Sequence, residues 1–340
     1  MEYFRQRFID ELNQEGDIEI RGVTWSRDNV LKTMDKETYD EVFREWTDQA
    51  KEDAKQRVLD FLTANNCLER FRLLNHRYQQ SQIVPFVGAG LSIQSGFQTW
   101  GNFIRSLVTD CNIDEQRTII GMMACGEYEE AAQRARDNLG EGVFDGELRE
   151  RLGSHKLQAI GNVNLLPVLF LGEVVTTNFD YVLINSYRDH GAAFSNVMRG
   201  VELRGAVARL GSDNHALLRL HGEADTSLGR VLTLAEYETV YTEERSLKGM
   251  LAGIVGTRSF LFLGCSLDTD RTLNAFTDIK AEAGIDLPPH FAFVSQPEQD
   301  KVLDRRQFLE RSGIFPIFYP ADDHDQAIED LLVTMMEGGV

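Results

Sequence analysis

A glycine-rich turn follows a short apolar run early in the chain and could bind a phosphate group. The run Ile83–Val87 is followed by Gly88-Ala89-Gly90-Leu91-Ser92. Two glycines one residue apart let the backbone turn sharply, and free amide groups in such a turn can hold a diphosphate. The turn is not the dinucleotide fingerprint Gly-x-Gly-x-x-Gly, because Ile93 stands at its third glycine. Taken alone, the turn fits an ordinary tight turn as well as a phosphate site.

A second polar segment follows another apolar run. Thr177-Asn178-Phe179-Asp180 come directly after the run Glu173–Thr176. Polar side chains at the end of a strand are well placed to bind a ligand. The alternative is that Asn178 or Asp180 caps the helix that follows, and taken alone the segment fits helix capping better.

A histidine and a second glycine turn complete the set. His221 follows an apolar run that ends at the preceding residue. A histidine at a strand end can act as a general base near neutral pH, although a lone histidine is more often structural. Gly264-Cys265-Ser266 follow the run Ser259–Leu263, and Gly264 and Ser266 could supply a second phosphate contact. No nearby feature activates Cys265, so we interpret it as a small packing residue.

Short apolar runs alternate with helix-like segments from residue 83 onward. This alternation predicts a parallel sheet with helices on both faces, a Rossmann-like α/β fold. Helical material at about 110–165 predicts an insertion in that fold. The predicted strands are Ile83–Val87, Glu173–Thr176, Leu217–Leu220, Ser259–Leu263, Phe291–Val294 and Ile314–Tyr319. The predicted helices are Trp100–Val108, Tyr181–Asp189, Ala235–Tyr241, Thr269–Ala283, Lys301–Arg311 and Asp325–Met336.

Residues 1–78 differ from the rest of the chain. They are rich in charge and show no convincing strand, and apolar residues from Tyr39 onward recur at helical spacing, with a second helix predicted at 68–78. We therefore predict an N-terminal helical segment at 1–78 and a main domain at 79–340. The segment could be a layer packed on the main domain or a surface for assembly.

The four polar or glycine segments would lie close together in such a fold. The carboxyl ends of parallel strands meet at one edge of a sheet, and ligands of open α/β folds bind beyond that edge. Each segment alone is a weak indication of function. Their shared position at the ends of four strands is a stronger indication of one site.

Composition and charge narrow the class of protein. The 340 residues are 42% apolar and 26% charged, which is typical of a soluble globular protein. A net charge of −19 repels phosphates, so we expect no direct nucleic acid binding and no membrane contact. No apolar run approaches the roughly 20 residues that span a bilayer, and the start lacks a secretory signal. The four cysteines form no Cys-x-x-Cys pair, which predicts free thiols, no metal site and a cytoplasmic location.

As an ordered set, these motifs resemble the sirtuin family over about residues 80–340. The set is Gly88-Ala89-Gly90-x-Ser92, Thr177-Asn178-x-Asp180, His221-Gly222 and Gly264-x-Ser266-Leu267. Ser95-Gly96 followed by Trp100 strengthens the likeness to the bacterial sirtuin-like NAD hydrolases of anti-phage defence, which lack a zinc ribbon.

This resemblance implies an NAD site and a role for individual residues. Asn178 would orient the nicotinamide ribose or the attacking water, and His221 would be the catalytic base. Asp180 would bind the nicotinamide carboxamide, while the two glycine turns would hold the diphosphate. The implied cofactor-binding set is Gly88, Ala89, Gly90, Ser92, Thr177, Asp180, Gly264 and Ser266.

Two departures from the family bear on the reaction. Sirtuin deacylases carry a zinc ribbon of paired cysteines after the catalytic histidine, but the 42 residues between His221 and Gly264 include no cysteine. Thr177 stands where the family usually has glutamine. Because that ribbon helps form the acyl-lysine tunnel, its absence favours water as the acceptor and an NAD glycohydrolase without a metal. The alternatives are a protein deacylase or ADP-ribosyltransferase, and a non-catalytic sensor of NAD or an ADP-ribose derivative.

The resemblance also implies control by assembly. Similar defence proteins form homo-oligomers, and some act beside a HerA-type hexameric ATPase that handles DNA. An unrestrained NAD hydrolase would deplete the cofactor of its host, so we expect an abortive-infection effector gated by oligomerisation or by such a partner. Tyr39, Phe43 and Trp46 in the 1–78 segment are candidates for subunit contacts.

Overall fold

The computed structural model describes residues 2–154, 158–199, 215–242, 246–268, 271–283 and 287–340. The strands are β1 (Ile18–Ile20), β2 (Val23–Trp25), β3 (Ile83–Val87), β4 (Val174–Thr176), β5 (Asn196–Arg199), β6 (Ala216–Arg219), β7 (Ser259–Leu263), β8 (His290–Ser295) and β9 (Ile314–Tyr319). Across these ranges, seven parallel strands form one sheet in the order β5-β6-β4-β3-β7-β8-β9. The predicted Rossmann-like α/β fold is therefore confirmed.

Helices surround this sheet. In chain order they are α1 (Glu2–Asn13), α2 (Arg27–Met34), α3 (Lys36–Ala64), α4 (Leu68–Gln79), α5 (Trp100–Val108), α6 (Ile113–Ala124), α7 (Tyr128–Leu139), α8 (Glu141–Leu152), α9 (Leu166–Leu169), α10 (Val182–Asp189), α11 (Leu234–Val240), α12 (Leu247–Val255), α13 (Arg271–Ala283), α14 (Val302–Arg311) and α15 (His324–Met336). In the described ranges, none of them combines the length and apolar character needed to cross a membrane.

The central strands carry the core. Every residue of β3, β4, β6 and β7 is buried, as expected for parallel strands covered on both faces. Phe86 of β3 packs against Phe262 of β7 with ring centroids 4.9 Å apart, and Phe260 lies 5.8 Å from Phe86. This packing fixes the carboxyl ends of the strands, where the four motifs begin.

The six predicted strands are present with bounds that differ by at most one residue, but among the described residues strand β5 and helices α9 and α12 of the main domain were not predicted. Strand β5 has exposed or half-buried residues at the edge of the sheet, so it has no apolar run to reveal it. Helix α12 was also not predicted from the sequence. The helix predicted at Thr269–Ala283 is α13 from Arg271, and Thr269 lies outside the described residues.

The expectation that residues 1–78 contain no strand was wrong. Strands β1 and β2 form an antiparallel hairpin in which Ile18 lies opposite Trp25 and Ile20 opposite Val23. These four apolar residues share one face, because directly opposed side chains and alternate positions point the same way. The hairpin lies at the surface, with Trp25 45% exposed.

The aromatic residues that were candidates for subunit contacts lie inside the N-terminal segment. Phe8 of α1 packs against Tyr39 and Phe43 of α3 with centroids 5.5 and 5.2 Å apart, and against Trp46 at 5.6 Å. Tyr39 and Phe43 are buried, and Trp46 is half-buried. These side chains therefore hold α1 on α3.

One exposed arginine and one buried arginine attach the outer helices to the main domain. Arg57 of α3 makes a two-pronged hydrogen bond to Asp330 of α15, at 2.7 and 2.8 Å. The predicted helical insertion contains α6, α7 and α8, and Arg230 joins Asp145 of α8 at 2.7 Å to Glu236 of α11 at 2.6 Å. Leaving one partner of such a pair uncompensated costs about 3–5 kcal/mol, so the insertion and the chain after His221 are held together firmly.

Candidate active site

Four loops meet at one edge of the sheet. Strands β6, β4, β3 and β7 are consecutive neighbours, and their last residues are in register: Val87 lies opposite Thr176 and Leu263, and Thr176 lies opposite Arg219. The loops after these strands therefore begin at the same level. The structure brings the four sequence motifs together, as predicted.

The first glycine turn packs tightly against the loop after β7. The amide of Gly88 donates to the carbonyl of Leu263 at 2.8 Å, and the amide of Gly90 donates to the carbonyl of Gly264 at 2.9 Å. A Cβ atom at Gly88 or Gly90 would lie 2.6 or 2.7 Å from the Gly264 oxygen. The close approach of two loops thus requires both glycines, and their amides are engaged rather than free. A diphosphate site formed with Ala89 stays a prediction.

This close approach predicts a large difference between two glycine substitutions. Gly90→Ala should lower the free energy of unfolding by about 1–3 kcal/mol, because the added methyl group forces two backbones apart. Gly121→Ala on α6 is the matched control: its Cβ would meet nothing within 4 Å outside its own helix. That control should be neutral or stabilising by up to about 1 kcal/mol. Equal midpoints for the two variants in chemical denaturation would contradict the account of this turn.

Ser92 links the loops after β3 and β4. Asn178 Nδ2 donates to Ser92 Oγ at 3.2 Å, and the Ser92 hydroxyl donates to the Asp180 carboxylate. Asp180 Oδ1 also accepts the amide of Val182 at 2.9 Å, so it has the helix-capping role as well. Ser92, Asn178 and Asp180 are all buried, and Thr177 is half-buried in the same loop. The network orients the Asn178 amide at the edge of the sheet.

Burial has the largest effect on the pKa of Asp180. Desolvation raises the pKa of its carboxyl group, whereas the Val182 amide, the Ser92 hydroxyl and the charge of Arg219 oppose that rise. These partners give the buried carboxyl group a defined orientation.

Sequence reasoning missed Arg219, which is fully buried at the end of β6. Its Nη2 donates to the carbonyls of Asn178, Phe179 and Asp180 at 3.2, 2.8 and 2.7 Å. Its Nε donates to the carbonyl of Gly222 at 3.0 Å. The available signal was a lone arginine within an apolar strand, since a buried charge must find partners.

His221 lies beside this loop in an aromatic pocket. The side chain is 5% exposed, with its ring centroid 5.6 Å from Trp100 and 6.1 Å from Phe179. In the described part of the chain, neither His221 Nδ1 nor Trp100 Nε1 has a hydrogen-bond partner, although both atoms are buried. Buried polar atoms without partners are rare in folded proteins, so a ligand bound here would complete the site.

Burial also sets the charge of His221. It lowers the pKa of the imidazole to about 4, which leaves the ring neutral near neutral pH. A neutral ring can accept a proton, as a general base must.

The loop after β7 is held from outside by Arg305. Its Nη2 donates to the carbonyl of Ser266 at 2.5 Å and its Nη1 to that of Leu267 at 3.1 Å. Gly264 has φ +65°, and a Cβ there would lie 2.5 Å from the amide nitrogen of Leu91. Gly264 therefore packs against the first glycine turn, while Ser266 is exposed. Their phosphate contacts stay predictions.

None of the four cysteines, all of which lie in the described residues, forms a disulfide. Cys67 and Cys111 are buried, Cys265 is half-buried and Cys125 is exposed. Among the described residues, no three or more His, Cys, Asp or Glu side chains are grouped so that they could hold a metal ion.

The fold and these loops belong to a recognisable class. A family model described as a SIR2-like domain matches residues 172–317. The match includes the loops with Asn178, His221 and Gly264, and it begins after the Gly88 turn. This part of the chain is therefore similar to a SIR2-like domain, the resemblance that the motifs predicted.

Curated proteins with similar sequences share a single name. Three proteins named NAD(+) hydrolase ThsA are similar to the chain. The protein of Enterococcus faecium is 23% identical over 231 residues, 66% of this chain and 46% of the relative. Those of Acinetobacter baumannii and Cytobacillus dafuensis are 24% and 25% identical, over 56% and 61% of this chain and 37% and 40% of the relatives. The chain thus spans less than half the length of the curated relatives that it matches.

Proposed function

We propose that the protein hydrolyses NAD to nicotinamide and ADP-ribose. The observation that carries this proposal is the placement of Asn178 and His221 at the ends of neighbouring strands. Phe179, which follows Asn178, is in ring contact with His221, with centroids 6.1 Å apart. The similarity to proteins named NAD(+) hydrolase supports the same reaction. The direct test is incubation with NAD followed by measurement of free nicotinamide.

The proposed reaction does not require a covalent intermediate with the protein. The nicotinamide of NAD is a positively charged pyridinium on an anomeric carbon, so it is already a good leaving group. Cleavage gives an oxocarbenium-like state that positioned polar groups can stabilise. In this proposal, Asn178 orients the ribose or the attacking water, and neutral His221 accepts the proton from a ribose hydroxyl or from water. Asp180 holds the nicotinamide carboxamide.

Water is the proposed acceptor because the sequence lacks the paired cysteines of the zinc ribbon that helps form the acyl-lysine tunnel of sirtuin deacylases. The segment between His221 and Gly264 has no cysteine with which to build a zinc ribbon. Deacylation and ADP-ribosyl transfer are the less supported alternatives for that reason. A non-catalytic sensor is less supported because it would need neither Asn178 nor His221.

The lowered pKa of His221 predicts the shape of the pH profile. If His221 acts as the base, kcat/KM should stay level from about pH 7 to about pH 5 and fall as pH approaches its pKa of about 4. An acidic limb centred at the ordinary histidine value of 6.5 would contradict this environment for His221. Circular dichroism at each pH is the control.

The same pKa shift affects stability. His221 binds its proton at a higher pH in the unfolded chain than in the folded protein, so its contribution to stability decreases as pH falls from 6.5 toward 4.

We further propose that activity is gated by assembly in a cytoplasmic anti-phage, abortive-infection response. A homo-oligomer or a HerA-type ATPase would supply the gate. Tyr39 and Phe43 are used inside the N-terminal segment, so subunit contacts would use other residues. Specific activity should rise with protein concentration together with the sedimentation coefficient. A fully active monomer at high dilution, unchanged by a partner, would contradict gating.

A further inference from the structure

We propose that Arg219 is a positioning residue that fixes Asn178 relative to His221. The inference rests on the NAD hydrolysis proposed above, in which those two side chains act at the same bond. Arg219 itself is buried behind the two loops.

A single guanidinium group connects the two loops. Nη2 donates to three successive carbonyls in the loop that carries Asn178, at 3.2, 2.8 and 2.7 Å. Nε donates at 3.0 Å to the carbonyl of Gly222, which directly follows His221. Because a guanidinium is planar and its N–H bonds diverge at fixed angles, these contacts set the distance and direction between the two loops.

The partners of Arg219 differ from those of Arg230, which is equally buried. Arg230 is neutralised by two carboxylates, Asp145 at 2.7 Å and Glu236 at 2.6 Å. The salt-bridge contact of Arg219 is Glu223 at 3.8 Å, and four backbone carbonyls take its short hydrogen bonds. Burying a charge whose hydrogen bonds go to backbone carbonyls is costly even with the charges of Asp180 and Glu223 nearby, so a leucine or methionine would serve packing at lower cost. Arg219 is thus suited to arranging backbone rather than to filling space.

The arrangement also reaches the side chains. The Asn178 carbonyl that binds Arg219 belongs to the residue whose Nδ2 contacts Ser92. The Arg219 guanidinium stacks over the Tyr181 ring at 4.9 Å, at the start of the next helix. Movement of this loop would change the position of Asn178 relative to His221. A displacement of about 1 Å in a positioning group can cost about 10²-fold in rate.

The test uses Arg219→Lys and Arg219→Ala in the full chain. Lysine retains the charge but cannot reach four carbonyls from one planar group, so kcat per folded molecule should fall about 10²-fold. Any increase in KM should be smaller than this decrease in kcat. Guanidinium chloride, added to Arg219→Ala below concentrations that unfold the protein, should restore part of kcat. Arg258→Lys is the control, because Arg258 pairs with Glu173 at the opposite end of the sheet. It should leave kcat unchanged.

A structural role alone gives a different result. In that case the variants would keep wild-type kcat per folded molecule, or guanidinium would fail to restore kcat in Arg219→Ala. Each of these results alone would overturn the inference. Hydrogen exchange of residues 177–181 reports on the loop without turnover. It should be faster in Arg219→Lys than in wild type, and equal rates would overturn the inference. Absence of NAD cleavage in the wild-type protein would instead contradict the proposed function.

Discussion

His221→Ala should abolish NAD cleavage while the protein stays folded. Removal of a general acid–base group typically costs about 10²–10⁴-fold in rate, and we expect a loss of at least this size. Its Nδ1 has no hydrogen-bond partner in the described residues, so the variant loses ring contacts with Trp100 and Phe179 but no hydrogen bond from that atom. The measurement is nicotinamide release per folded molecule.

A second histidine provides the control for this variant. His76 is exposed on α4, the helix that precedes β3, and belongs to none of the site motifs, so His76→Ala should retain wild-type turnover. Unfolding of His221→Ala can be recognised by circular dichroism before the assay. Turnover near the wild-type rate in a folded His221→Ala protein would remove His221 from the proposed mechanism.

Asn178→Ala should lower kcat by about 10²-fold or more. The amide is the group held toward the site by Ser92, and its loss leaves the ribose or water without an orienting partner. The lost hydrogen bond to Ser92 should cost only about 0.5–1.5 kcal/mol of stability, so the variant should fold. Activity and denaturation midpoint are to be measured on the same preparation.

Asn29→Ala is the matched control for this substitution. Asn29 is exposed in the N-terminal segment, where its Nδ2 donates to Ser26 Oγ at 2.8 Å. Its removal should change neither kcat nor KM. If Asn178→Ala matched this control in turnover, Asn178 would have no role beyond capping and packing.

The sheet could be predicted from sequence because its central strands are buried on both faces. Runs such as Ser259–Leu263 are uniformly apolar, and that pattern survives without any knowledge of contacts. Strand β5 could not be found in this way, since its residues are exposed or half-buried at the edge. The β1–β2 hairpin did have a signal, alternating apolar residues on either side of Gly22 at φ +80°.

The site was predictable to the extent that it consists of strand ends. Asn178, Asp180 and His221 follow buried strands directly, so the topology alone brings them together. Arg219 and Arg305 could not be assigned, because their partners are backbone carbonyls that approach only in the folded chain. The sequence also identified the glycine turn, but the structure explains its two glycines by contact between loops, which the sequence could not show.

The measurement that tests the central claim most directly is the product balance after incubation with NAD. The purified full chain, across a range of protein concentrations, should release one ADP-ribose for each nicotinamide. A chelator should leave the rate unchanged, acetyl-lysine peptides should keep their acetyl groups, and His221→Ala should release neither product. Intact NAD at every protein concentration, or nicotinamide release coupled to loss of acetyl groups, would contradict the assignment as an NAD hydrolase.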